Sequence, residues 1–160
     1  MAYVKRADLR MTDEEIARFL AAHRWGRLGS VSAQGEPHVS PIGYLYLGGR
    51  LYFHGLVQSR RGRDITHEAR VALCVDEGVG EGQTYSERRG VVVYARCRVV
   101  FADEDELLAL LRPGFAERFF GDRSVSFERP THAWYELTPY RFASWDFGKI
   151  PAGADRFATS

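Results

Sequence analysis

Short runs rich in apolar, aromatic and β-branched residues, bounded by glycine, proline and polar turns, make up most of this chain, interrupted by only a few stretches with helical spacing. The first helical stretch opens at Thr12, where the pattern T-x-x-E with Glu15 predicts a capping box and a helix to about His23. Ile16, Phe19 and Leu20 form its apolar stripe, and Asp13 and Glu14 suit the positive end of its dipole. Strands are predicted over Trp25–Ser32 and Pro37–Leu47, joined by a tight turn at Ala33–Glu36. Pro41 and Gly43 interrupt the second of these, marking a bulge, an edge or a close approach of ligand to backbone. The Gly48-Gly49 turn leads into a third strand, Leu51–Gly55.

Ser59 is a good N-cap, and Arg60–Glu68 follows as a helix. Arg70–Val75 and Gly90–Phe101 are apolar strands flanking a loop rich in glycine and charge. Asp103 starts a helix through Leu111, which Pro113 and Gly114 are expected to break. A short aromatic helix, Phe115–Phe120, then ends at Gly121. Ala133–Thr138 and Arg141–Phe147 read as two last strands, separated by Pro139. Residues 1–11 read as an N-terminal arm and 151–160 as a C-terminal tail of one domain spanning 1–160. About six strands joined by tight turns imply antiparallel pairing, and closure into a mainly β barrel with short helices removes the edges.

Composition narrows the function. A net charge of +1 over 160 residues argues against a broad nucleic-acid face. No apolar run is long enough to span a bilayer, and no signal-peptide core is visible at the N-terminus. Cys74 and Cys97 lie inside apolar strands and read as buried thiols in a reducing cytoplasm. No cysteine–histidine metal pattern and no hydrolytic triad can be drawn. The notable chemistry is Ser59-Arg60-Arg61-Gly62-Arg63, a cationic cluster at a helix start directly after a strand ending in His54 and Gly55. Such a start presents free N–H groups beside guanidinium groups, which suits a phosphate. The competing reading is a solvated basic face.

These segments, in this order, resemble the pyridoxamine 5'-phosphate oxidase-like family of FMN-binding split barrels. The carriers are EEIARFLAAHRWGRLGSVSAQGEPHVSPI, RLYFHGLVQSRRGRDI with the strand after it, and THAWYELTPYRFASWDFGKI. The resemblance implies a six-stranded antiparallel split β-barrel, a homodimer with a cofactor at each interface site, and a small planar substrate. Ser59, Arg60 and Arg61 match the family's phosphate-holding segment. Phe53, His54 and Gly55 match positions along the ribityl chain and ring, and Ser40, Pro41 and Ile42 the segment along which the ring lies. Arg89 falls near a cofactor-touching position, while Gly90 lacks the side-chain amide expected there. Trp145 either sits against the ring or fills the barrel mouth. His54 either donates to the reduced ring or packs at the rim.

The arginine-and-histidine ending with which the vitamin oxidase grips its own substrate is absent from SWDFGKIPAGADRFATS. The resemblance therefore implies an FMN-dependent oxidoreductase other than the vitamin oxidase. It leaves open the deazaflavin coenzyme F420, which carries its phosphate at the same place, and a non-catalytic flavin- or haem-binding module. Arg63, Arg88 and Arg89 are candidates for the acidic tail of the deazaflavin, or surface charges.

Overall fold

Residues 5–151 are described by a computed structural model. Their centre is one antiparallel sheet of seven strands that curls into a half-barrel. In chain order its elements are α1 (Asp13–Ala22), β1 (Trp25–Val31), β2 (Pro37–Gly43), β3 (Leu45–Leu47), β4 (Arg50–Leu56), α2 (Arg60–His67), β5 (Arg70–Glu77), β6 (Arg89–Val99), α3 (Asp105–Phe120) and β7 (His132–Asp146). The strands lie in the order β2-β1-β5-β6-β7-β4-β3. The outermost pairs, β2 with β1 and β3 with β4, approach one another where β2 meets β4, so the sheet turns back on itself.

Seven strands stand in the sheet where about six were expected, and two of the expected stretches have other bounds, each for a physical reason. The expected strand 37–47 divides at Tyr44, which is fully buried. Its N–H bonds Arg24 O at 2.8 Å, next to the Trp25–Gly43 pair, its hydroxyl donates to Leu20 O of α1 at 2.8 Å, and beyond it β3 pairs with β4 instead of β1. The expected pair 133–138 and 141–147 is one strand, β7. Pro139 lies opposite Ala95 where the register shifts, and a bulge accommodates the missing N–H without ending the strand.

The expected helix break at Pro113 is also absent, since α3 runs through it. The carbonyl that proline leaves without its helical partner belongs to Ala109, an exposed residue. Gly114 lets α3 lie close on β3, where an added Cβ would stand 3.1 Å from Leu45 Cδ2. At α1 the capping box forms as expected: Thr12 accepts from Glu15 N at 3.2 Å and Glu15 accepts from Thr12 N at 2.7 Å. In the N-terminal arm, Arg6–Leu9 is a turn of 3-10 helix. Residues 1–4 of the arm and 152–160 of the expected tail lie outside the described residues.

Two apolar clusters result from strand alternation. The barrel interior joins Leu28, Leu51, Phe53, Leu73, Val91 and Tyr135, among others, with the buried stripe of α1. The opposite face of β4 and β7, carrying Tyr52 and Trp134, is covered by Leu108, Leu111 and Phe115 of α3. Among the described residues no helix is long and apolar enough to cross a membrane.

Candidate functional site

Ser59 caps α2, its Oγ accepting from Gly62 N at 3.1 Å. The first turn of α2 rests on the chain leaving β4. A Cβ at Gly62 would fall 2.2 Å from Val57 O, so only glycine allows this approach. That contact aims the next-door side chains in fixed directions. Gly62 is buried and Arg61, beside it, is half-buried.

The two neighbouring guanidinium groups part company. Arg60 turns to the β1–β2 hairpin, meeting Asp64 Oδ1 at 3.1 Å and Glu36 Oε2 at 3.3 Å. Its hydrogen bond to Asp64 holds its charge even more firmly than usual. Asp64 is itself buried and accepts from Ser30 Oγ at 2.8 Å. Burial opposes the Asp64 charge, but the bonds from Ser30 and Arg60 outweigh it and keep the carboxyl below its usual range.

Arg61 turns the other way, into the mouth of the half-barrel. Its Nη1 donates to Ser40 Oγ of β2 at 3.2 Å, and its guanidinium lies 5.8 Å from the centre of the Phe53 ring. Gly55 leaves room beside it, since an added Cβ there would stand 3.4 Å from Arg61 Nη2. Phe53 in turn stacks on Tyr135 of β7 at 4.8 Å. Burial pulls the Arg61 pKa down, with Tyr135 working in the opposite sense. The group remains a cation at neutral pH. Among the described residues Arg61 pairs with no carboxylate, and its Nε is buried without a hydrogen-bond partner.

The structure therefore gathers Ser40, Phe53, Gly55, Ser59 and Arg61. Ile42 is buried in the barrel, and Pro41 lies exposed on the edge strand β2, opposite Arg27. His54 sits on the other face of β4 from Phe53, among Phe127, His132 and Trp134. Period-two alternation is the cause.

Arg89 and Trp145 are a separate group. Arg89 is ion-paired with Glu77, whose other oxygen meets His23 Nε2 at 2.7 Å. Trp145 lies on Gly90, where a Cβ would come within 2.2 Å of its ring. Measured along β7 from Tyr135, which stacks on Phe53, Trp145 is roughly 30 Å of strand away. It lines a cleft of about 950 Å³ with Met11, Val92, Phe142 and Arg88. Arg88 was only one of several candidate surface cations in the sequence. Its guanidinium stands 4.9 Å from the Tyr85 ring and 5.6 Å from that of Phe147, and its buried Nε has no hydrogen-bond partner among the described residues. Tyr135 and Gly62 were missed as site residues. Only Gly62 had a local signal, a glycine within an arginine-rich first turn.

A curled antiparallel half-barrel with a cation at its mouth defines a split-barrel protein. The family model described as pyridoxamine 5'-phosphate oxidase matches residues 12–146, and the chain belongs to that family. Among solved structures, a conserved hypothetical protein from Mycobacterium tuberculosis is similar at 24% identity and TM-score 0.76, covering 98% of this chain and 99% of that one. HutZ, the haem storage protein from Vibrio cholerae, is similar at 20% identity and TM-score 0.68, over 85% of this chain and 96% of its own. An FAD-binding protein from Mesorhizobium loti is similar at 21% identity and TM-score 0.61, over 84% and 94%. A comparison with curated proteins gives no match.

Proposed function

We propose that the protein is a flavin-binding oxidoreductase that takes FMN, with the FMN phosphate on Arg61, Ser59 and the first amides of α2. The observation that carries this reading is the half-buried Arg61 guanidinium, which among the described residues pairs with no carboxylate and keeps an orphan Nε. A buried cation in that condition is costly unless an anion completes it. Ser40 and the faces of Phe53 and Gly55 would border the ribityl chain. Bound there, the flavin would supply hydride chemistry; the chain's own residues bind, orient and shape the space for a small planar substrate.

Arg61 and Trp145 stand too far apart along β7 to border one ligand within a single chain. A homodimer, in which Trp145 and Arg88 of one copy face Arg61 of the other, reconciles the two groups of residues. It would bury exposed apolar side chains such as Val39 and Phe142. Both cysteines are free, which suits a reducing cytoplasm.

The deazaflavin F420 is the second reading, favoured by Arg88, a further cation bordering the Trp145 cleft and able to meet an acidic tail. A non-catalytic flavin- or haem-binding module is the third, resting on fold likeness to a haem storage protein and an FAD-binding protein. Mass spectrometry and absorbance of the small molecule released from the purified protein decide among them. Release of FMN, with reoxidation of the reduced protein by an acceptor faster than free flavin, supports the first. Haem, the deazaflavin, or no uptake of any of these would overturn it.

A further inference from the structure

The face of β4 turned away from Arg61 carries an unusual pair. His54 stacks on His132 of β7, ring centres 5.2 Å apart and planes at 20°. The pair lies under the 121–131 segment, which has no regular secondary structure and follows Gly121, the left-handed C-cap of α3. Two side chains pin that segment. Phe127 inserts among Phe115, Phe120, Trp134 and His54, meeting the His54 ring edge-on at 5.4 Å. Glu128 accepts from Trp134 Nε1 at 2.7 Å and from Arg112 Nε of α3 at 2.9 Å.

We propose that the His54–His132 stack is a pH-sensitive latch, which holds the 121–131 segment down while at most one ring is protonated and releases it when both are. The charged and titratable groups around His54 are His132 from β7, Glu128 from the segment itself, and Arg112 from α3, which occupies Glu128. Burial opposes a proton on His54, and a charged His132 adds repulsion; Glu128 offsets part of both. One proton is therefore tolerable. A second places two cations face to face in a half-buried aromatic cluster. The cheapest relief is to let water reach the rings by lifting Phe127 off His54.

The segment is also tied to the α2 start. Val57 N donates to Thr131 O at 3.1 Å, and Val57 O is the atom on which Gly62 rests. Opening the latch removes one of the supports beneath the first turn of α2. This link to ligand binding rests on the reading of Arg61 given above; the latch itself does not.

The test is backbone hydrogen exchange of residues 121–131 in the full chain at about pH 7.5 and about pH 5.5, corrected for intrinsic rates. In the wild type, protection of this segment should fall at least ~tenfold on acidification while that of β5 and β6 is kept. His54→Phe retains a ring without a proton, and the fall should shrink to less than ~twofold. Unchanged wild-type protection, or an equal fall in His54→Phe, would overturn the proposal. Should that variant not fold, NMR titration of the two wild-type imidazoles decides. Two coupled steps, the second coinciding with segment release, support the latch; independent titration with no segment change sinks it.

Discussion

Arg61 and Ser40 meet across the mouth of the half-barrel, Nη1 donating to Oγ at 3.2 Å, although one side chain comes from α2 and the other from β2. Among the described residues, this bond and the Phe53 ring beneath hold the Arg61 head. The adjacent Arg60 head is taken up by Asp64 and Glu36. Two neighbouring arginines therefore have different tasks, and that difference can be measured.

Arg61→Ala should weaken FMN binding by about tenfold to more than a hundredfold, the worth of a charge-assisted hydrogen bond or two. Its thermal stability should be unchanged or slightly higher, because an unpaired half-buried cation is removed. Arg60→Ala should do the reverse, lowering stability by leaving buried Asp64 with Ser30 alone, with a smaller effect on affinity. Flavin fluorescence titration and thermal melts on both variants check this. Equal losses of affinity would mean that the guanidinium groups act together.

Gly62→Ala should cost about 1–3 kcal/mol or more, because its methyl group would collide with a carbonyl, which cannot step aside as a side chain can. Relief requires α2 to lift from Val57, so flavin affinity should fall with stability. Urea denaturation and the same titration follow both quantities. A variant as stable as the wild type would show that the first turn of α2 has slack.

Asp64 makes stability depend on acid. Its folded pKa lies below the usual value, so its contribution is present above the ordinary carboxylate range and is lost as pH falls through the folded value. Urea midpoints for the wild type should therefore drop from about pH 6 to about pH 3 more steeply than those of Asp64→Asn. Parallel curves would place the acid sensitivity elsewhere.

Much of this molecule was legible residue by residue. The T-x-x-E box placed α1, Ser59 placed the start of α2, and apolar and β-branched runs bounded by turn residues placed most of the strands, because caps, turns and runs are local properties. Family likeness over most of the chain pointed to the half-barrel. Where proline was taken as a stop, at Pro113 and Pro139, the outcome depended on what surrounded the backbone. An exposed position at Ala109 and a bulge where Pro139 faces Ala95 accommodated the lost hydrogen bonds.

The primary structure alone determined that a cationic helix start follows a strand in a chain of antiparallel hairpins. Only the folded arrangement decided which of the two is left without a carboxylate among the described residues. Arg60 and Arg61 are equivalent as letters, but their directions differ around the helix axis, and the carboxylates that engage one of them come from the β1–β2 hairpin and from α2 itself. Likewise His54 and Phe53 are adjacent in the chain yet lie on opposite faces of β4, because successive side chains of a strand point to opposite sides. Which face meets the barrel mouth and which meets α3 is set by partners distant in sequence, and no local pattern records it.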